Sequence, residues 1–368
     1  MIRLSSIIKT FESEFLDQYQ GQILPSHRKA LAAMKVCRTS QSPRLRAGCS
    51  QCDHTLTMPH SCGHRSCPHC QHFESQRWLE RQLQKRVPAG YFLLTFTLPA
   101  ELRGLVWCHQ RPLYALMIQC VWETVRTFAW NDKQLQGIPG AIAVLHTHSR
   151  RLDFHPHVHL VMPAAAIDAV KRLWRTKGGG KTRKNKNRKP YLFNHKALAK
   201  MFRGKLLDAI TDAGLALPTS IPKKWVVDCK SVGSGDKALV YLGRYLYRGV
   251  IQEKDIVDCQ EGNVTFRYQD SETKKWVKRT VSGATFVWLV LRHVLPRGFR
   301  RARNFGFLHP NSKRLIRLIQ YLRGLDPMPA LARIRKRPVL VCPGCGAKMR
   351  VIETRLQPFF SVATSGVT

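Results

Sequence analysis

Residues 154–162 read FHPHVHLVM, and this alternation constrains the fold more than any other stretch. His155, His157 and His159 are interleaved with Pro156, Val158 and Leu160. Residues two apart on an extended chain point to the same face. A strand here lines imidazoles along one side and turns Val158 and Leu160 to the other, toward a core. Neutral imidazole is the commonest metal ligand. Simple polar–apolar alternation on a half-buried strand explains one histidine more easily than three, so the row reads as a candidate divalent-metal site.

The neighbouring stretches build a sheet around it. AIAVLHTHS (141–149) reads as a second strand, and RRLD (150–153) joins it so closely that the two form an antiparallel hairpin. His146 and His148 then lie beside the histidine row. YFLLTFTLP (91–99) and WVVDCKSV (225–232) have strand composition, and 263–270 with 274–282 reads as a hairpin. Helical spacing marks 1–36, 73–88, 101–131, 196–213, 285–296 and 312–323.

The cysteines constrain the N-terminal part. Six of the 12 fall between residues 37 and 70. Two CxxC knuckles, Cys49–Cys52 and Cys67–Cys70, predict a structural zinc site of four thiolates. Cys37 and Cys62 are surplus ligands for a second ion, or Cys62 replaces a member of the first. The interleaved Arg44, Arg46, His64 and Arg65 suggest a DNA-binding finger. A lone CxxC, Cys342–Cys345, is half a site. Cys108, Cys120, Cys229 and Cys259 read as small buried apolar residues.

Charge indicates the partner. Lys plus Arg number 61 against 23 Asp plus Glu, a formal net charge of +38. Such an excess repels itself unless a polyanion is nearby, and phosphate neutralisation releases counterions. No apolar run of about 18 residues occurs, and MIRLSSIIKTFESEF lacks a signal-peptide core. The expectation is a cytoplasmic, nucleoid-associated protein with DNA as partner and no membrane contact. Residues 171–189 contain ten Lys or Arg among nineteen, a mobile basic loop carrying Lys181, Arg183 and Lys184. RGFRRARNFGF (297–307) interleaves Arg297, Arg300, Arg301 and Arg303 with aromatics, a pattern for phosphate contacts and base stacking.

DKALVYLGRYLYR (236–248) reads as an amphipathic helix. Leu239, Leu242 and Leu246 share one face, and Tyr241 and Tyr245 stack one turn apart on another. Arg244 and Arg248 flank them.

The His157–Val158–His159 motif followed by YxxxY resembles the HUH endonucleases. Together with CRT (37–39), CSQC (49–52), SCGHRSCPHCQ (61–71), FHPHVHLVMP (154–163), YLGRYL (241–246) and HVLPRGFRRARNFGF (293–307), the chain resembles insertion sequence 91 family transposases of the two-tyrosine rolling-circle type. The resemblance implies an α+β fold: a central antiparallel sheet of HUH-endonuclease type with flanking helices, plus an N-terminal zinc-binding domain. It implies Mg²⁺ or Mn²⁺ on His157 and His159, with His155 favoured over His146 or His148 as third ligand. It makes Tyr241 and Tyr245 paired nucleophiles that cleave single-stranded element ends and target DNA through 5′-phosphotyrosine. Unwinding would rely on host factors, a helicase among them, or on already single-stranded DNA. The expected divisions are a helical segment (1–36), a zinc-binding domain (37–75), the nuclease core (88–250), its basic C-terminal part (251–330) and a partly disordered CxxC tail (331–368). The rival readings are a zinc-dependent DNA-binding or replication-initiation module, and a metal-dependent nuclease that uses water.

Overall fold

A computed structural model describes residues 2–70, 72–168, 170–171, 173–178, 191–247, 249–332 and 339–357. Helices α1 (Leu4–Tyr19) and α2 (Pro25–Val36) precede strands β1 (Arg44–Cys49) and β2 (Thr55–Pro59). Then come α3 (His72–Leu83), β3 (Tyr91–Thr97), α4 (Arg103–Cys108) and α5 (Gln110–Asn131). Strands β4 (Ile138–His148), β5 (Phe154–Pro163), β6 (Ala165–Ile167) and β7 (Trp174–Thr176) follow. Next are α6 (His195–Asp212), β8 (Val227–Ser231) and α7 (Asp236–Tyr247). The chain continues through β9 (Ile256–Gln260), β10 (Asn263–Gln269), β11 (Trp276–Ser282), α8 (Gly283–Leu291) and β12 (Ala302–Gly306). It closes with α9 (Lys313–Leu322), α10 (Met328–Ala332) and β13 (Met349–Leu356).

The fold is α+β. Its central sheet runs β7-β6-β4-β5-β3-β8, with β12 added against β4, and every pairing is antiparallel. Both faces are buried. Ala141, Ala143 and Leu145 of β4 and Val158, Leu160 and Met162 of β5 join the core formed with α5 and α6. Alternate residues Ile142, Val144 and Val161 pack the other way, against Trp78 and Leu79 of α3 and Leu239 and Leu242 of α7. The period-two rule therefore sets two different cores from the same strands.

Two smaller sheets flank the centre. β11-β10-β9 packs on α8, where Phe266 meets Phe286 with ring centroids 5.7 Å apart. Helix α1 lies against α8 so closely that a Cβ on Gly283 would stand 2.3 Å from the Phe11 ring. β13-β1-β2 forms the third sheet, so a strand from the C-terminal tail completes the N-terminal domain.

Two expectations change. The basic stretch 297–307 contains a strand, β12, and its aromatics face inward: Phe305 stacks on Trp122 at 4.9 Å, and Phe299 and Phe307 are buried. They are therefore committed to the core rather than to bases. Within 171–189, Trp174–Thr176 forms β7, anchored by the Trp174 ring 5.2 Å from Phe307. The tail contributes β13, while 358–368, expected to be disordered, lies outside the described residues.

Candidate metal and nucleophile centre

In β4 and β5 the row that begins in dry core continues into histidine. Val144 is followed two residues on by His146, and Val161 is preceded by His159 and His157. Antiparallel pairing sets His146 opposite His157 and Val144 opposite His159. The three rings converge: His146 lies 4.3 Å from His159 and 5.1 Å from His157, and His157 lies 4.9 Å from His159, between centroids. One nitrogen from each falls within 4.8 Å of the others. All three are buried, and burial pushes His157 down to about 4 and His159 to about 3, so they stay neutral with lone pairs available. His157 Nδ1 donates to the His155 carbonyl at 2.7 Å, and His159 Nδ1 bonds the Thr95 hydroxyl at 3.0 Å. The His157 bond leaves the lone pair on its Nε2, the usual way a protein fixes the tautomer of a metal-binding imidazole. The donor set fits a divalent cation.

His155 stands outside this group, which corrects the third-ligand expectation. Its strand parity is right, but its Nδ1 is 2.7 Å from Arg103 Nη2. A guanidinium occupies that ring and repels a second cation. His146 stands in the group in its place. His148 is diverted by a register shift in β4: it pairs with Phe154, and its ring lies 5.2 Å from His293.

Helix α7 crosses above the trio. Its Leu239–Leu242–Leu246 stripe packs on the sheet, which turns Tyr241 toward the histidines. The Tyr241 ring is 6.0 Å from His159 and nearly perpendicular to it, with 43% of the residue exposed. Burial raises its hydroxyl above the ordinary phenol value, and nearby Arg150 opposes the rise. Gly243 lets α7 approach α3: a Cβ there would stand 3.3 Å from the Trp78 ring, and Ser75 Oγ donates to the Gly243 carbonyl at 2.9 Å. Tyr245 lies one turn further along the same helix; its side chain and that of Arg244 lie outside the described residues, as does all of Arg248. Arg301 binds the whole together, donating to the carbonyls of Leu145 on β4 at 3.0 Å and Leu246 on α7 at 3.4 Å. A cation at a helix C-terminus also complements its dipole.

A groove of about 340 Å³ runs from Tyr241 to the β9–β11 sheet, lined by His148, Arg150, Tyr241, Arg267, Tyr268 and Trp276 among others. Trp276 is 60% exposed with the Arg267 guanidinium 5.1 Å from its ring centre. Sequence reasoning missed this wall, although WVKR at the start of a hairpin strand carried a signal. Thr95, opposite His159 on β3, was missed too; its signal was the polar member of an alternating strand.

The cysteines separate into two groups, and this corrects the expected pairing of the knuckles. Cys67 and Cys70 converge with Cys37 and Cys62, while Cys49 and Cys52 converge with Cys342 and Cys345. In the first group Sγ–Sγ distances include 3.3 Å (Cys37–Cys70), 3.5 Å (Cys62–Cys70) and 3.6 Å (Cys37–Cys67). Four thiolates around one Zn²⁺ at about 2.3 Å stand about 3.8 Å apart, so this donor set fits zinc. The knuckles part because β1 and β2 hold Cys49 and Cys52 at the far end of their own hairpin, against β13. Of the scattered cysteines, Cys120 is buried, Cys229 and Cys259 are half-buried and Cys108 is exposed.

The expected DNA-binding cations divide likewise. Arg297 and Arg300 are exposed. Arg301 is spent on internal carbonyls, and Arg303 lies half-buried over Phe299 at 5.5 Å. Arg65 donates to the carbonyls of Leu295, Pro296 and Phe299, and Arg46 pairs with Glu353, so neither reads as a free finger cation. Lys181, Arg183 and Lys184 lie outside the described residues. Among the described residues no helix is long and apolar enough to cross a membrane.

Residues 140–315 match a family described as putative transposase, and residues 7–98 match the transposase zinc-binding domain. The chain is 31% identical to the putative transposase y4qJ of Sinorhizobium fredii over 77% of its own length and 74% of the relative's. It is 26% identical to the transposase for insertion sequence element IS801 of Pseudomonas savastanoi pv. phaseolicola, over 95% of this chain and 87% of that one. Among solved structures it is similar to the conjugative relaxase TrwC in complex with oriT DNA, at 12% identity over 64% of this chain and 72% of that one. The TM-score of that likeness is 0.25.

Proposed function

The chain belongs to the insertion sequence 91 family of transposases, and we propose that it cleaves and rejoins single-stranded DNA through a tyrosine, with a divalent metal on His146, His157 and His159. The observation that carries this reading is the Tyr241 ring 6.0 Å from His159, at the edge of the histidine group and the mouth of the groove.

His146, His157 and His159 would hold Mg²⁺ or Mn²⁺, which when bound would supply Lewis-acid stabilisation of charge on the scissile phosphate. The rest is the work of the chain. Arg150 and Arg267 hold the backbone in the groove, and Trp276 stacks a base. The Tyr241 oxygen attacks phosphorus in line and loses its proton to solvent; the P–O3′ bond breaks, and the 3′ oxygen leaves as a hydroxyl after taking a proton from water. The products are a 5′-phosphotyrosine and a free 3′-OH. Attack by a 3′-OH on that linkage reverses the chemistry and joins strands, so the bond energy is conserved. Tyr245, one helical turn on, serves as the second nucleophile and permits a further transfer before the first is released. The exposed Arg297 and Arg300 extend the basic surface for DNA, and Arg244, Arg248, Lys181, Arg183 and Lys184 are further DNA-binding candidates by sequence. In outline this is rolling-circle transposition.

The test is incubation of the full chain with single-stranded oligonucleotides from element ends and Mn²⁺. A covalent protein–DNA adduct is expected, reduced by Tyr241→Phe or Tyr245→Phe and absent from the double variant. Cleavage without adduct would replace the tyrosine with water, and binding without cleavage would reduce the chain to a DNA-binding module.

A further inference from the structure

We propose that Cys49, Cys52, Cys342 and Cys345 bind a second structural zinc ion, one that ties the C-terminal strand of the chain to its N-terminal domain. The family matches cover residues 7–98 and 140–315, so Cys342 and Cys345 lie beyond both. The sulfurs nevertheless meet across almost the whole sequence. Cys49 Sγ is 3.4 Å from Cys345 Sγ, and Cys52 Sγ is 3.6 Å from Cys345 and 3.7 Å from Cys342. Tetrahedral zinc with Zn–S near 2.3 Å requires separations of about 3.8 Å. A disulfide requires about 2.05 Å and joins only two.

Each CxxC is shaped as a knuckle. The Gln51 amide approaches Cys49 Sγ at 3.4 Å, as amides do toward a bound thiolate. At the other knuckle Cys342 N donates to Ala347 O at 2.8 Å and Gly346 N to Cys342 O at 2.9 Å, with Gly346 at φ +73° making the tight turn. Two such turns aimed at one point from opposite ends of a chain have a single simple chemical reason.

Packing alone does not supply that reason. The core beneath this sheet consists of Ala47, Cys342 and Met349, with Leu45, Cys49, Leu56 and Leu340 partly buried against it. So few apolar side chains do not stabilise a three-stranded sheet. In small domains a structural zinc ion supplies folding free energy outright, because the site does not exist in the unfolded chain. The ion therefore holds β13 in register with β1, and with it the link that closes the chain from residue 49 to residue 345. The two zinc sites also differ in access. Cys37 and Cys67 of the first are buried, whereas Cys52 and Cys345 of the second are exposed. The second ion exchanges first.

The experiment uses the zinc-loaded full-length protein. Metal analysis should find two zinc ions per chain, one for each four-cysteine group. Iodoacetamide footprinting should find Cys52 and Cys345 unreactive despite their exposure, and reactive after chelation. The double variant Cys342→Ser/Cys345→Ser should retain one zinc and lose amide-exchange protection in Arg44–Pro59 and Met349–Leu356. One zinc in the native chain, two in the variant, or equal alkylation of Cys345 with and without chelator would overturn the proposal. The footprint is read on the native chain, so it decides the matter even where the variant fails to fold. DNA adduct formation is not part of the readout, so failure of the tyrosine chemistry leaves this test intact.

Discussion

His146→Ala and His155→Ala make a paired test of how the metal is held. The two histidines look alike in sequence, and the structure separates them. His146 is fully buried with its ring 4.3 Å from His159, whereas His155 is engaged by Arg103 at 2.7 Å. Loss of a residue that merely orients a ligand costs about 10–100-fold in metal affinity, which is about 1.4–2.7 kcal/mol. Loss of a direct ligand must exceed that range, so His146→Ala should weaken Mn²⁺ binding by more than about 100-fold. His155→Ala keeps the backbone carbonyl that accepts from His157 Nδ1, and also removes only a neighbour of Arg103. Its effect should stay below about 10-fold, beneath the range for orienting residues. Calorimetric Mn²⁺ titration of the full chain measures both, and the Mn²⁺ concentration for half-maximal oligonucleotide cleavage should follow the same order. Thermal unfolding of the zinc-loaded variants checks that the fold survives. Equal effects, or the larger effect at His155, would refute the assignment of His146.

Three further outcomes follow from the same geometry. Trp276→Ala should weaken single-stranded DNA binding by about 1–3 kcal/mol, the usual worth of one base stacked on an aromatic ring, measured by fluorescence anisotropy; unchanged affinity would remove the β9–β11 wall from the DNA path. Gly243→Leu should force α7 from α3, because the Trp78 ring is already 3.3 Å from the position of a Cβ; overpacking costs about 1–3 kcal/mol, and cleavage should fall while Mn²⁺ affinity is retained. His27 is buried, accepts from the Leu24 amide at 3.2 Å, and is pushed down to about 4 from an unfolded value of 6.5. Below pH 6.5 the unfolded chain takes the proton first, so stability falls as pH drops toward 4, by up to about 3 kcal/mol from this group; His27→Asn should flatten that part of the profile in urea unfolding, and an identical slope would show that His27 does not contribute it.

The parts legible in sequence are those fixed locally. The alternation of FHPHVHLVM sets a strand with His157 and His159 on one face, and the leucine stripe of α7 sets which side of that helix meets the sheet. What the sequence conceals depends on contacts between distant segments. His146 joins the trio because it is opposite His157, and His148 leaves because the register shifts between them. Neither position differs in local pattern. The knuckles show the same division: the spacing within each is local, but the partners follow from β13 pairing with β1 across the length of the chain. RGFRRARNFGF misled through composition. Arginines beside aromatics fit nucleic acid, yet a strand alternates them, and here the rings entered the core while Arg301 tied β4 to α7.

The position of the site follows from where the dry core ends. On β4 the inward row passes from Ile142 and Val144, both covered, to His146; on β5 it passes from Val161 to His159 and His157. Helix α7 seals the apolar part with Leu239 and Leu242, and the same register that seats those leucines leaves Tyr241 over the first histidines beyond them. The imidazoles are therefore held by paired strands rather than by loops, which limits their movement to the small displacements a metal site tolerates. Helix α7, which carries Tyr241, is held by its leucines on the sheet, by the Gly243 contact with Trp78 of α3, by the Arg86–Asp236 ion pair and by the Arg301 bridge to β4. On the proposed reading, the metal ligands therefore sit on the central sheet and the nucleophile on the helix packed above it.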